Sequence, residues 1–239
     1  MTAGTKATQA TPIQTHATTP HLPYSPRVLN RGERSRRELF VYFSPRNQRI
    51  ATIADMVNVA LALQFEFDPT LTHYVERPRR LQLSDKQDID ITFWTCNRKG
   101  EERFYLLIPS SGTVGSTTGT LAIRDRSALD AAAQRQGLVL HYVTEEELLA
   151  SRIWLATAFE LLPLLWLYGR LLHRSMIRAR IDGLMRNVER MNLSSLVAAL
   201  DYEAIHVRAV VAAMVHEGVL RLVDYQPGAL DAVLEVIHA

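Results

Sequence analysis

Asp88 and Asp90 stand two residues apart in QDIDITFWTCNRKGEERFYLLIP (87–109), a spacing that puts both carboxylates on one face of a strand. Metal-dependent cleavage of a phosphodiester needs such a strand acid, followed on the next strand by a second carboxylate and a lysine in alternation. The acids gather Mg²⁺, which polarises the scissile phosphate, and the lysine meets the negative charge that develops. The next strand here, Phe104 to Ile108, is apolar throughout. Half of the chemistry is present and half is missing. Other metal chemistries have less support. Cys96 is the single cysteine, which leaves no internal disulfide and no CxxC zinc pair, and no two of the eight histidines lie four apart. Such cysteine usage fits a reducing, cytoplasmic setting.

The acids need a scaffold, and the hydropathy pattern outlines one. ELFVYF (38–43) reads as a strand, followed by the basic turn SPRNQR. Apolar residues at 50, 53, 56, 57, 61 and 63 are spaced more like a helix than a strand, which predicts a helix over 50–65 that Asp68 and Pro69 stop. LTHYVERP and RLQL read as strands around Pro78, and DIDITFW and RFYLLIP as a hairpin with Gly100 at its tip. SSGTVGSTTGT (110–120) reads as a flexible loop, 127–136 as helix and LVLHYV (138–143) as a buried strand. Thr144 and Glu147 form a capping box that opens the next helix. The expected fold class is α/β, a mixed sheet with helices packed on it. IWLATAFELLPLLWLY (153–168) contains Glu160 and Pro163, so it is too short and too interrupted to cross a bilayer and is expected to be a buried helix. No membrane partner is expected.

With 239 residues, 47% of them hydrophobic and 22% charged, the chain can bury one sizeable core and a smaller one, so two domains are expected. Residues 1–26 are rich in Thr, Ala and Pro and are expected to be a disordered tail. They lack the apolar centre of a secretory signal. The net charge of +2 is unevenly spread. Residues 24–52 carry seven arginines against two acids, and residues 170–190 carry six against two. Residues 192–239 reverse the balance, with two arginines against six acids. Arginine rather than lysine in the basic zones suits bidentate contact with phosphate.

LSSLVAAL (193–200) reads as a short helix, Asp201 as a cap, and 202–217 as a second helix with Ile205, Val207, Val210, Val211, Met214 and Val215 inward. Gly218 ends it, VLRLVDY gives a strand, and a last helix is expected from Ala229. Helix, turn, helix, strand is the outline of a winged helix. Its acidic balance opposes phosphate and favours docking to protein.

In the order and spacing of these segments the chain resembles the TnsA-type endonuclease subunit of heteromeric, TnsABC-class transposons. SPRNQRIATIADMVNVALALQFEFDPTLTHYVERP (44–78) carries the resemblance in the first half, with Glu66, Phe67, Asp68 and Pro69 at its centre. GLVLHYVTEEELLASRIWLATAFELLPLL (137–165) carries it in the second, and the likeness extends over roughly 27–239. It implies a PD-(D/E)xK, restriction-endonuclease-like domain over 27–168, then a basic linker helix and a winged-helix domain over 169–239. It places the family's helix glutamate on Ala54 and the residue after it on Asp55. The strand aspartate falls on Asp90, or on Asp88 if the register slips by two. The acid-x-Lys pair falls on Leu106 and Ile108, or on Leu107 and Pro109, and the glutamine of the family's EQP becomes Arg77.

Of the catalytic set one aspartate survives, and a single carboxylate holds Mg²⁺ poorly. The resemblance thus implies a noncatalytic subunit of a transposition complex, without cofactor or metal. It would bind transposon-end or target DNA through Arg31, Arg34, Arg36, Arg37, Arg46, Arg49 and Arg77. Its protein partners would be a DDE transposase and, through residues 170–239, an AAA+ regulator. Two other readings stand beside it. One is an active endonuclease that uses Mg²⁺ with carboxylates relocated among Asp55, Glu66, Glu76, Glu101 and Glu102; the other is a stand-alone DNA-binding regulator.

Overall fold

The computed structural model describes residues 22–115, 121–186, 188–226 and 232–237. Most of the expected N-terminal tail lies outside them. Residues 22–26 lie inside and depart from the expectation of disorder: Leu22 and Tyr24 pack on a core cluster, with the Tyr24 ring 5.3 Å from that of Trp94 and 5.5 Å from that of Phe104. Aromatic neighbours give this short stretch apolar area that its composition did not reveal.

Helix α1 (Arg31–Ser35) leads into strands β1 (Leu39–Ser44) and β2 (Arg49–Ala54), helix α2 (Met56–Phe67), and strands β3 (Leu71–Glu76), β4 (Arg80–Ser84), β5 (Gln87–Asp90), β6 (Phe93–Asn97) and β7 (Glu102–Ile108). A 3-10 turn at Ser110–Gly112 precedes β8 (Thr113–Gly115) and β9 (Leu121–Ile123), then α3 (Arg126–Arg135), β10 (Leu140–Thr144), α4 (Glu145–Ala150) and α5 (Arg152–Tyr168). The chain continues as α6 (Arg174–Met185), β11 (Arg190–Asn192), α7 (Leu193–Ala199), α8 (Ala204–His216), β12 (Leu220–Val223) and β13 (Val233–Val236). The fold is mixed α/β. Its main sheet has the order β10-β7-β6-β3, with β10 parallel to β7 and the other neighbours antiparallel. Gly100, at φ +80, turns the β6–β7 hairpin, and Thr144 and Glu147 cap α4 reciprocally.

Several expectations are corrected. Arg49–Ala54 is a strand, not the first turns of a helix: it pairs with β1, buries Ala51 and Ile53 and exposes Ile50. The helix starts only at Met56, after Asp55 turns the chain at φ +67. DIDITFW is two strands, broken at Ile91–Thr92 opposite a break at Arg77–Arg79, so β3–β4 and β5–β6 form one bent antiparallel ribbon. Arg77 makes that bend at φ +46, and Pro78, which cannot donate to a ladder, interrupts the pairing. The loop over 110–120 includes a turn and strand β8 within its described part. The helix expected from Ala229 begins among undescribed residues, and the next described segment is a strand: Val233–Val236 pairs with both β11 and β12. In the same region Glu203, not Asp201, stands at the start of α8, and Ile205 is exposed rather than inward.

One core cluster runs without interruption through α2, α5, α6 and α8, joining Phe65, Leu161, Ile177 and Met214. It crosses the boundary expected at 168/169. A second cluster, with Val75, Trp94, Leu106 and Ala132, fills the space between the main sheet and α3. Helix α5 buries Ala158, Leu161 and Leu165 but exposes Ile153, Phe159 and Trp166. No helix among the described residues is long and apolar enough to cross a membrane.

Candidate functional site

The residues singled out by sequence converge. Ala54, Asp55, Arg77, Asp88, Asp90, Leu106, Leu107, Ile108 and Pro109 all line one open cleft of about 700 Å³. The end of β2 supplies Ala54, the bend of the ribbon supplies Arg77 and Asp90, and β7 forms the back wall. On β7 the alternation of a pleated strand buries Phe104, Leu106 and Ile108 together. Where the resemblance puts an acid and a lysine, the wall is thus hydrocarbon. Ala54, which it puts on a helix, lies at the end of a strand and is buried.

Asp90 has a partner that sequence reading did not single out. The Arg27 guanidinium donates through Nε to Asp90 Oδ1 at 2.8 Å and through a second nitrogen to Oδ2. The same guanidinium donates to both oxygens of Glu33, at 3.1 and 2.8 Å. Glu33 is placed by a capping box at the start of α1: its carboxylate takes the N–H of Asn30 while the Asn30 side chain takes the N–H of Glu33. Hydrogen bonds from Arg27 and then from the Asn30 backbone hold the Glu33 carboxyl down at about 2. The same two carboxylates push the Arg27 pKa above its ordinary value, Glu33 contributing most. Arg80 flanks the pair, 3.5 Å from Asp90 and 4.0 Å from the more exposed Asp88.

Arg77 forms the floor beneath them. Its guanidinium donates to the carbonyls of Arg27 at 3.1 Å and Thr52 at 2.9 Å, while its backbone bonds to Arg27 and Thr92. It therefore ties the leading segment, β2 and the bent ribbon into one wall. Burial lowers its pKa, opposed chiefly by Glu76.

The other carboxylates are also engaged. Asp55 lies 3.6 Å from Arg37. Glu76 is buried and held by Arg49, 2.9 Å from its Nη1. Glu66 is fully buried away from the cleft and accepts from Ser44 Oγ at 2.5 Å, Tyr74 Oη at 2.8 Å, the Arg46 N–H at 2.9 Å and the His216 ring at 3.0 Å. Burial pushes the Glu66 pKa up, but the bonds from His216 and Ser44 outweigh it and leave it below the ordinary value. Glu101 bonds Asn97 and Glu102 accepts from Trp94, and neither lines the cleft.

A divalent ion does not fit this donor set. The side chains of Ala54, Leu106 and Ile108 offer no ligand atom, and the best-placed carboxylates face guanidinium groups. Among the described residues no cluster of three or more His, Cys, Asp or Glu is placed to hold a metal.

The seven arginines expected to meet DNA divide in two. Arg31, Arg34, Arg36 and Arg37 are exposed around α1. Arg46, Arg49 and Arg77 spend their guanidinium donors internally, Arg46 on the carbonyls of Glu66 and Leu71. The signal for Glu33 was present in the sequence as Asn30-x-x-Glu33. Nothing local marks the pairing of Arg27 with Asp90, 63 residues away. No family model matches the chain, and no curated protein matches it.

Proposed function

We propose that this chain is a noncatalytic, TnsA-like subunit of a transposition complex: a PD-(D/E)xK-type domain followed by a winged-helix-like unit that holds DNA and docks a DDE transposase and an AAA+ regulator. The observation that carries this reading is the cleft. Every position at which the resemblance calls for a catalytic group lines it, yet Asp90 faces the Arg27 guanidinium and the wall beside it is Ala54, Leu106 and Ile108. An arginine has taken the counter-charge role that a divalent ion plays in an active site of this type. Loss of a positioned acid or base alone costs about 10²–10⁴-fold in rate.

DNA contact falls to the exposed arginines around α1, of which Arg37 lines the cleft. Protein contact falls to the C-terminal part, where residues 192–239, with α7, α8 and the sheet β11-β13-β12, carry a deficit of positive charge. The test is an assay with purified protein, the cognate transposase and transposon-end DNA in Mg²⁺ or Mn²⁺. The strand that the transposase leaves intact stays uncut, while a joint protein–DNA complex still forms. Cleavage of that strand establishes the active-endonuclease reading instead, and DNA binding that ignores the transposase establishes the regulator.

A further inference from the structure

The hairpin β1–β2 has one closed edge and one open edge. On β2, Thr52 turns its backbone away from β1: its N–H bonds Glu76 at 3.4 Å and its carbonyl takes Arg77 at 2.9 Å, while the Ile50 carbonyl takes Arg49 at 3.2 Å. In an antiparallel pair, residues opposite one another point their backbone groups the same way, either both inward or both outward. Thr52 pairs with Val41, Ile50 with Phe43 and Ala54 with Leu39, so the N–H and C=O groups of Leu39, Val41 and Phe43 point out from the other edge. The bond from the Asp55 N–H to the Glu38 carbonyl confirms that phase, because it makes 38 and 55 an inward pair. Among the described residues no backbone bond beyond the hairpin reaches Leu39, Val41 or Phe43.

The side chains of the same three residues are also bare. Leu39 is 38% exposed, Val41 64% and Phe43 41%, and Ile50 beside them on β2 is 65% exposed. The intervening Phe40 and Tyr42 pack inward on the core. An unpaired edge with an apolar face invites strand addition, and proteins that do not use such an edge blunt it with charge, proline or a covering element. None of those stands on Leu39–Ser44. Charge is confined to its approach, where Arg34, Arg36 and Arg37 are exposed with one exposed acid, Glu38, and Arg37 lies 3.6 Å from Asp55, so the approach stays net positive.

We propose that β1 is a docking edge for an extended segment of a partner protein, which adds as a third strand. The segment alternates apolar side chains over Val41, Phe43 and Ile50, and carries acidic residues at the end that meets Arg36 and Arg37. Main-chain bonds to Leu39, Val41 and Phe43 supply affinity, and the apolar face and the arginines supply selectivity. A second copy of the chain fits less well. It would bring the same arginines, and one six-residue edge is far smaller than the roughly 20–30 residues a side of a stable interface. This inference does not depend on the reading of the cleft. DNA on Arg36 and Arg37 would compete with the acidic end, so the test omits DNA.

The probe is a synthetic peptide alternating valine and threonine with glutamates at both ends. The readout is amide hydrogen exchange of Leu39, Val41 and Phe43 by NMR. In the protein alone these three amides exchange fast while Phe40, Tyr42 and Ser44 are protected; the peptide slows the three by about tenfold or more. The same peptide N-methylated along the edge that faces β1 leaves them fast. Val41→Pro, which removes an outward N–H and no bond within the hairpin, should leave the melting temperature little changed and abolish the effect. Protection of the three amides in the protein alone, or equal protection by the N-methylated peptide, overturns the proposal. Protection that rises with protein concentration without peptide overturns it in favour of a second copy.

Discussion

Arg27 and Asp90 meet fork to fork, with Arg27 Nε 2.8 Å from Asp90 Oδ1 and the same guanidinium reaching back to Glu33, and both carboxylates line the cleft. Two carboxylates and one arginine, drawn from the leading segment, α1 and β5, thus join in one charge network, with Arg80 3.5 Å from Asp90, where the resemblance expects a cation. The pairing is well sheltered, since all three side chains are only about one fifth exposed, at 22%, 23% and 22%. A charge-assisted bond in such a place contributes more than a solvated surface pair.

Arg27→Ala should therefore leave Asp90 with only the more distant Arg80 and lower stability by about 2 kcal/mol. Asp90→Asn should cost somewhat less, because Glu33 still holds Arg27. The double variant should fall short of the sum by about 1 kcal/mol, as expected for residues in contact. Urea denaturation of the four proteins checks this. Full additivity would mean that the fork carries no coupling.

The exposed and buried arginines should separate by assay. Replacing Arg31, Arg34, Arg36 and Arg37 with alanine should flatten the salt dependence of DNA binding by up to about 3–4 units of log–log slope with little change in melting temperature. Arg49→Ala should do the opposite. It strands the buried Glu76 carboxylate and should cost about 3 kcal/mol with the slope intact, read by thermal melts and by DNA titration at several salt concentrations.

Glu66 predicts a pH dependence. Its folded-state pKa lies below the ordinary value of 4.5, so between the two values the unfolded chain binds a proton that the folded chain does not. Stability then rises with pH. The contribution of Glu66 is complete above 4.5 and is lost as pH falls through the lower, folded value. Glu66→Gln should flatten this part of the acid limb in a series of denaturation curves, whereas an unchanged limb would assign the acid sensitivity to other carboxylates.

The link between Glu66 and His216 also bears on dissection of the chain. Truncation at residue 192 removes α8 from the core that it shares with α2, α5 and α6, and leaves Glu66 without the His216 ring. Such a fragment should be largely unfolded or aggregated by circular dichroism and gel filtration, rather than lose only partner recruitment. A soluble, cooperatively melting fragment would show instead that residues 192–239 are separable from the rest of the fold.

Legibility in the sequence followed the range of the interactions. The Gly100 hairpin, the Thr144–Glu147 box and the apolar run of β7 are local, and each was readable from a few neighbouring residues. Residues 50–54 misled because Ile50 and Ile53 continue the apolar spacing of α2, although one of them faces solvent and the other the core. Val233–Val236 became a strand because β11 and β12 were there to pair with it, which its own composition does not announce. The positions lining the cleft were legible through the resemblance. Their neutralising partners were not, because Arg27 reaches Asp90 across 63 residues and His216 reaches Glu66 across 150.

The most direct measurement is a titration of the isotope-labelled protein with Mn²⁺, reading paramagnetic line broadening residue by residue. With Asp90 held by Arg27, excess Mn²⁺ should give only weak, non-saturating broadening spread over exposed carboxylates. Saturable broadening centred on Asp88 and Asp90, reaching Ala54 and Leu106, would contradict the account by showing that the cleft still gathers a divalent ion.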